Sequence, residues 1–388
     1  MSNKVLREFI TSEDLDKLID EYDPQYILLI SARNDGKSYA VKKRALERAF
    51  KYGEEFTYLR RYEIDIKRGD PRLYWADFEP VQKESGLNVF QQVTGKAWDT
   101  ITTQGRSSFH WGTITDKGKV EPGPLIGHIH ALSVAPSYKS LQFPRVKTII
   151  YEEMVTDKAY LYDEPRKLMN YVSTIMRTQT EGVRVFMVGN TITRLNPFFR
   201  TWELTHFNKM EPGQVDIYDH TYTDDAGNES KTRILVHIPN VKGKNKSVKG
   251  LFFGTAAGMI AGQKWDTREQ PHLDKPVDEY NILYSMVYDF DVNARFLMQL
   301  IQHRTQPERV LWYVSPKTSD IQRGTRIISP RLVESAGPLY TRSFQPICEE
   351  ERRAFQLINW GRIAYSDNLT GTEFSRALRM ARVTDTGE

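Results

Sequence analysis

The stretch of sequence that decides the fold runs from Tyr26 to Phe50 and reads YILLISARNDGKSYAVKKRALERAF. It begins with six residues of strand character, a turn then ends in Gly36-Lys37-Ser38, and a segment with helical periodicity follows. A loop between a strand and a helix directs its backbone N–H groups at bound oxygens, and the helix N-terminus adds partial positive charge. The stretch therefore predicts a phosphate-binding loop.

Within this loop, Lys37 is predicted to reach the β and γ phosphates of a nucleotide, and the Ser38 hydroxyl is predicted to bind Mg²⁺. Ser31 stands where the usual pattern has glycine. A strand exit tolerates that change, whereas a side chain at Gly36 would crowd the phosphates. The alternative is an ordinary strand-to-helix turn that happens to contain Gly-Lys-Ser. The residues predicted to contact the nucleotide are Asn34, Asp35, Gly36, Lys37, Ser38 and Tyr39.

Length and composition limit the class of protein. A chain of 388 residues is longer than one core usually supports, and 39% hydrophobic with 12% aromatic residues is typical of globular proteins. A net charge of +4 is compatible with nucleic acid without requiring it. The single cysteine, Cys348, cannot form an intrachain disulfide, the N-terminus is too charged for a signal peptide, and no run is long enough to cross a bilayer. We therefore predict a soluble, two-domain protein of the reducing cytoplasm.

A second buried-type strand, Val146 to Tyr151, is followed by two acids, Glu152 and Glu153. In P-loop ATPases a strand parallel to the first ends in two carboxylates, at the sheet edge where open α/β sheets bind ligands. We therefore predict that Glu152 holds Mg²⁺ through its water shell and that Glu153 is the base that polarises the attacking water. The alternative is a solvated strand end, where acids are common.

Polar residues also end two other predicted strands. Asn190 follows the strand Val183 to Val188, and at the same sheet edge it is predicted to bond the γ phosphate or the attacking water. Arg60 and Arg61 end the strand Glu55 to Arg61 and point to opposite faces of it. For these arginines both an ion pair and a contact with phosphate or DNA are open interpretations.

The rest of the chain up to residue 267 carries fewer signals. Residues 62 to 105 show no clean period and no predicted site. The lysine-rich run from Lys242 to Gly250 is either a solvated loop or a contact to the DNA backbone, and the small residues from Leu251 to Thr267 predict a helical linker. The other predicted elements are a helix from Glu164 to Gln179, a hairpin of Ser107 to Thr115 with Leu125 to Val134, and a hairpin of Val215 to Thr223 with Thr232 to Ile238.

The C-terminal part is predicted to be an α+β domain. Asp289 and Asp291 end its first strand, but a two-metal nuclease needs three or four converging carboxylates, and the next two strands supply none. The predicted domains are residues 1–240, a linker at 241–274, and residues 275–388. The predicted elements of the last domain are strands at Tyr280 to Phe290, Arg295 to Arg304 and Arg309 to Ser315, and helices at Glu349 to Gly361 and Thr372 to Arg382.

Several short motifs occur in a fixed order along the first half of the chain. They are ARNDGKSYA (Ala32 to Ala40), KYGEEFTYLRRY (Lys51 to Tyr62), Lys139-Ser140, TIIYEE (Thr148 to Glu153), Met176-Arg177 and GNTITRLNPFF (Gly189 to Phe199). In these motifs the chain resembles the DNA-packaging ATPases, or encapsidation proteins, of phages related to phi29. GRIAYSDN, Gly361 to Asn368, is a weaker echo near the C-terminus.

The resemblance implies an α/β P-loop ATPase domain of the ASCE type, a helical linker, and an RNase H-like domain that has lost its nuclease acids. It implies that ATP and Mg²⁺ drive double-stranded DNA through the portal of a preformed prohead, in a ring of five copies of the chain. It leaves open whether a structural packaging RNA takes part. The protein would reside in the host cytoplasm and dock transiently on the prohead, without a membrane.

Three residues take their expected roles only from the resemblance. Arg177 matches an arginine that enters the neighbouring subunit's site, Lys139 a second residue that acts across that interface, and Arg33 an arginine within the phosphate loop. Without the resemblance, Arg177 would be a cation favoured at a helix C-terminus and Lys139 a solvated lysine. The chain departs from the family pattern at Ser31, Glu152 and Glu63, where the relatives have glycine, aspartate and lysine. No role on DNA or across the interface is therefore assigned to Glu63.

Two other functions are compatible with these residues. A terminase-type motor would also cleave DNA. A nucleotide-binding adaptor would bind without turnover, and the glutamate at position 152 is the only feature that favours it.

Overall fold

The structure is a computed structural model that describes residues 8–31, 34–156, 160–177, 182–190, 195–223, 227–241, 269–291, 294–318, 325–329, 340–341, 346 and 348–385. Contacts divide the chain into two units, the first within residues 8–190 and 209–241 and the second within residues 195–208 and 269–385. The predicted domains differ from this division at residues 195–208, which the prediction placed with the first domain. The lysine-rich run and the predicted linker helix lie outside the described residues.

The first unit contains one nine-stranded sheet. Its strands are β1 (Tyr26–Ser31), β2 (Glu55–Arg60), β3 (Thr100–Gln104), β4 (Ser108–Ile114), β5 (Val120–Ala131), β6 (Val146–Glu152), β7 (Arg184–Asn190), β8 (Val215–Thr223) and β9 (Glu229–His237). They lie in the order β3-β4-β5-β2-β6-β7-β1-β9-β8. The six strands from β5 to β9 in this order pair in parallel, and β3, β4 and β8 are antiparallel additions at the two sides.

Helices connect these strands. They are α1 (Ser12–Tyr22), α2 (Lys37–Tyr52), α3 (Glu63–Arg68), α4 (Val89–Val93) and α5 (Glu164–Met176), with 3-10 helices at Pro71–Trp75 and Leu132–Tyr138. In the part of the chain that the structure describes, no helix is long and apolar enough to span a membrane.

Helix α2 begins directly at the predicted phosphate loop. Gly36 adopts a left-handed backbone with φ of 84°, which a residue with a side chain rarely adopts, and a Cβ there would lie 2.9 Å from the Cβ of Phe9. Val41 and Leu46 pack into the core of the unit, and Gly53 ends the helix in the same left-handed region. The glycine and this packing together fix where the helix N-terminus lies at the end of β1.

The parallel pairing brings the ends of several strands to one edge of the sheet. Ser31 at the end of β1 stands opposite Asn190 at the end of β7, and Glu152 at the end of β6 stands opposite Val188. β2, which ends at Arg60, lies beside β6. The predicted meeting of the loop, Glu152 and Asn190 at a single carboxyl edge is therefore confirmed.

The second unit has a six-stranded sheet and a core that contains Trp312, Phe355 and Phe374. Its elements are α6 (Pro197–Thr201), β10 (Tyr280–Asp291), β11 (Ala294–His303), β12 (Val310–Pro316), β13 (Arg326–Ile328), β14 (Tyr340–Thr341), α7 (Glu349–Asn359), β15 (Ile363–Tyr365) and α8 (Asn368–Asp385), with 3-10 helices at Phe207–Lys209 and Val277–Glu279.

Its strand order is β14-β13-β10-β11-β12-β15. β10, β11 and β12 are antiparallel, whereas β13 is parallel to β10 and β14 is parallel to β13. Three antiparallel strands with two parallel strands added beside the first form the RNase H-like arrangement that the resemblance implied. The predicted fold class, an α/β P-loop unit with a C-terminal α+β unit, is confirmed.

Two local differences have physical causes. β5 begins at Val120 rather than at the predicted Leu125. Its first half contains Pro122 and pairs only with β4, so no strand on its other side requires an N–H donor from the proline. Residues 62–105 contain α3, α4, β3 and a 3-10 helix, elements of five or six residues that are too short to show a period.

Candidate nucleotide-binding and catalytic site

Lys37 is buried at the carboxyl edge, with 5% of its surface exposed. Its Nζ donates to the Ser31 carbonyl (3.2 Å), the Ser31 hydroxyl (3.1 Å) and Oδ1 of Asn190 (3.4 Å). Burial lowers the pKa of Lys37 to about 8, against the opposing effect of the charges of Asp35 and Glu152. Ser31, which stands where the family has glycine, therefore accepts a hydrogen bond from Lys37 through its own hydroxyl. The oxygens of a bound phosphate would be stronger acceptors for Lys37 than this hydroxyl.

Glu152 and Ser38 meet beside this lysine. The Ser38 hydroxyl donates to the Glu152 carboxylate, and burial raises the pKa of Glu152 against the effects of Ser38, Lys42 and Arg60. Among the described residues Oε1 of Glu152 has no hydrogen-bond partner, although it is buried. A buried carboxylate oxygen without a partner is costly, and oxygen ligands of this kind suit Mg²⁺. The donor set therefore fits the predicted metal.

Glu153 lies just beyond the end of β6, in a left-handed backbone with φ of 56°. Its side chain is 57% exposed, and its carboxylate accepts from the Arg60 guanidinium at 3.0 Å. Of the two interpretations of Arg60, the structure shows the ion pair. Because its carboxylate bonds Arg60 in this structure, Glu153 would have to leave Arg60 before it could accept a proton from water.

Arg61 points to the other face and also forms an ion pair, which is buried and has a partner that the sequence did not reveal. Its Nε and Nη2 donate to Glu164 at 2.8 and 3.0 Å, with 5% and 0% of the two side chains exposed. It also donates to the carbonyls of Glu153 (3.1 Å) and Met154 (3.2 Å). Arg61 therefore fixes the backbone that carries the candidate base.

The remaining loop residues are placed as follows. Asn34 is exposed in a left-handed backbone with φ of 67°, and Asp35 is buried. The ring of Tyr39 packs against Phe78 at 4.5 Å between centroids, so this side chain belongs to the core of the unit. Arg33 lies outside the described residues.

Arg177 and Lys139 are exposed and contact each other, because the Arg177 guanidinium donates to the Lys139 carbonyl. Helix α5 starts after β6 at the carboxyl edge and runs back over 13 residues, which is about 20 Å. Arg177 at its end therefore lies toward the amino edge, far from Lys37 of the same chain. This position is unsuited to a role in its own site.

The second unit shows no comparable carboxylate cluster among its described residues. Asp289 is buried and accepts from Nε of Arg295 at 3.1 Å, so a cation already neutralises it. In the described parts of the chain no group of three or more His, Cys, Asp or Glu residues is arranged to hold a metal ion.

A family model described as Podovirus DNA encapsidation protein (Gp16) matches residues 16–84 and 114–263, more than half of the chain. The chain belongs to this family. The match covers the phosphate loop, both glutamates, Asn190 and Arg177. The resemblance on which the expected roles rest is thereby confirmed, whereas the roles of individual residues stay predictions.

Individual members of the encapsidation family are similar over about two thirds of the chain. The DNA packaging protein of Bacillus phage B103 is 30% identical over 277 residues, which cover 69% of this chain and 72% of that protein. The DNA packaging protein of Bacillus phage phi29 is 27% identical over 264 residues, which cover 64% and 70%. A chain of the bacteriophage Phi-29 viral genome packaging motor assembly matches with a TM-score of 0.50 at 20% identity, over 96% of this chain and 99% of that chain, which shows a shared fold.

Proposed function

We propose that this chain is an ATP-driven motor that moves double-stranded DNA into a preformed prohead. The observation that carries the proposal is the meeting of Lys37, Ser38, Glu152 and Asn190 at one edge of a parallel sheet. Membership of the encapsidation family supports DNA as the cargo and the prohead portal as the docking partner. In the host cytoplasm the chain would bind the prohead only during packaging.

The site residues would act on a bound triphosphate in defined ways. The N–H groups at the start of α2 would face the β and γ phosphates, and Lys37 would exchange its bonds to Ser31 and Asn190 for phosphate oxygens. Ser38 and Glu152 would hold Mg²⁺, whose charge offsets the charge that develops on the transferred phosphoryl group.

Water activation requires a rearrangement of one ion pair. Glu153 would leave Arg60 and accept a proton from water, while Arg61 keeps its backbone in place. Asn190 would then be free of Lys37 and able to bond the γ phosphate or the water. The exchange of partners at Lys37, Glu153 and Asn190 would report nucleotide binding to the rest of the unit.

Arg177 would complete the site of a neighbouring copy. Its exposure and its position toward the amino edge support action across a subunit interface, and Lys139 lies beside it to share that interface. If each copy supplies an arginine to the next, the contacts are head-to-tail, and such contacts form a ring when the rotation between copies closes. Five copies, and a packaging RNA as a further partner, are supported by the resemblance to the phi29 type.

A phosphate-release assay with and without double-stranded DNA tests the proposal. The wild type is expected to hydrolyse ATP in the presence of Mg²⁺ and to do so faster with DNA, whereas Lys37→Ala is expected to lose turnover by a factor on the order of 10² or more. Lys51→Ala, an exposed lysine in the last turn of the same helix, is the matched control and should keep wild-type turnover. Nucleotide binding by the wild type without phosphate release would support the adaptor instead.

A further inference from the structure

The hydroxyl of Tyr74 is an unexplained buried polar group beside the nucleotide site. It lies in the 3-10 helix Pro71–Trp75, is buried, and has no hydrogen-bond partner among the described residues. Oε1 of Glu152 has the same property. Tyr58, on whose ring Tyr74 stacks, pairs with Ile150 of β6, and Glu152 lies two residues further along β6 on the same face of the sheet. The Tyr74 hydroxyl and Oε1 of Glu152, two buried oxygens without a hydrogen-bond partner among the described residues, therefore lie in the same part of the interior.

The ring that carries this hydroxyl contacts both Tyr58 and Lys42. It stacks on Tyr58 with 3.8 Å between ring centroids, and Nζ of Lys42 lies 4.8 Å from the ring centroid. Lys42 also donates to the Tyr74 carbonyl at 2.7 Å and to Asp77 at 2.5 Å. Because Lys42 follows Ser38 by one turn of α2, the position of Tyr74 is tied to the helix that begins at the phosphate loop.

The region offers room for water. Tyr74 borders a cavity of about 210 Å³ that it shares with Tyr58, Arg60 and Asp65. Buried polar groups without protein partners are commonly satisfied by ordered water, and Mg²⁺ in proteins keeps several of its waters. A hydroxyl that can donate and a carboxylate oxygen that can accept are the partners that a metal-bound water needs.

We propose that Tyr74 is a positioning residue for the metal site, in which its hydroxyl bonds the water shell of Mg²⁺ that Glu152 holds. The inference rests on the proposed function and adds a residue from the segment in which the sequence indicated no site.

The test is the Tyr74→Phe variant, with Mn²⁺ as the probe metal and a non-hydrolysable ATP analogue in saturating amount. Mn²⁺ binding, followed by electron paramagnetic resonance of the free ion, is expected to weaken by about 10-fold or more, as is typical when a residue that orients a metal ligand is removed. In the metal-free protein the variant should unfold at the same temperature as the wild type or higher, because it removes an unpaired buried hydroxyl.

Tyr171→Phe is the matched control. The Tyr171 hydroxyl is buried but bonds the ring of His130 at 2.6 Å, so its loss should lower the unfolding temperature and leave Mn²⁺ affinity unchanged. Wild-type Mn²⁺ affinity in Tyr74→Phe, or a fall in its metal-free unfolding temperature like that of Tyr171→Phe, would overturn the inference.

A Glu152→Gln arm separates this inference from the proposed function. If Glu152→Gln weakens Mn²⁺ binding and Tyr74→Phe does not, the metal site stands and only the role of Tyr74 is wrong. If neither variant affects Mn²⁺ binding, the metal does not bind at Glu152, and both the inference and the proposed site fail.

Discussion

Replacement of Arg177 by alanine is expected to reduce ATP turnover by about 10³-fold or more while the chain stays folded. An arginine supplied by a neighbouring subunit stabilises the charge on the transferred phosphoryl group, and effects of this size are typical of such residues. Arg177 is exposed, and α5 carries it away from Lys37 of its own chain. If it were only a cation at the helix C-terminus, its loss would cost about 1 kcal/mol of stability and leave turnover intact.

A mixing experiment tests whether Arg177 acts across the interface. Arg177→Ala subunits keep Lys37 and Glu153, and Lys37→Ala subunits keep Arg177, so a mixture of the two variants is expected to regain part of the activity that each variant lacks alone. Arg166→Ala is the control, since Arg166 is 70% exposed on the same helix and pairs with Asp163. Wild-type turnover by Arg177→Ala alone would contradict the assignment.

Replacement of Glu164 by alanine is expected to lower the free energy of unfolding by about 3–5 kcal/mol, because it leaves Arg61 buried without its counter-charge. Glu164 accepts from Arg61 twice, from the Tyr151 hydroxyl at 2.5 Å and from the Leu161 N–H at 2.8 Å. The molecules that remain folded should also lose ATP turnover, since Arg61 positions the backbone of Glu153.

Urea denaturation of the wild type and of Glu164→Ala measures the change in the free energy of unfolding. Glu63→Ala is the matched control, because Glu63 is 43% exposed and pairs with Lys67 within α3. Such surface pairs contribute less than about 1 kcal/mol to the free energy of unfolding. If Glu164→Ala lowers the free energy of unfolding no more than Glu63→Ala does, the buried pair of Arg61 and Glu164 does not stabilise the carboxyl edge.

The parts of the site that could be predicted from the sequence depend on residues that are close together in the chain. The strand, Gly36 and the helix that starts at Lys37 are contiguous, and parallel strands bring their ends to one edge, so Glu152 and Asn190 could be placed without coordinates. The first three strands of the second unit were likewise predicted from the sequence, whereas their RNase H-like arrangement was implied only by the resemblance.

The parts that could not be predicted depend on pairings between distant residues. Arg61 and Glu164 are separated by 103 positions, and no local pattern marks either as buried. Tyr74 lies in a segment of short helices without a hydrophobic period, so its contact with Lys42 could not be predicted. Only the coordinates show which buried polar atoms lack a hydrogen-bond partner. The partner of Arg60 was undecided for the same reason.

The most direct test of the account is the position of a nucleotide in a crystal structure of the chain with Mg²⁺ and a non-hydrolysable ATP analogue. We expect the phosphates to lie against the backbone N–H groups at the start of α2, Lys37 to bond phosphate instead of Ser31, and the metal to lie between Ser38 and Glu152. A nucleotide bound away from this edge, or a metal without contact to Ser38 and Glu152, would contradict it.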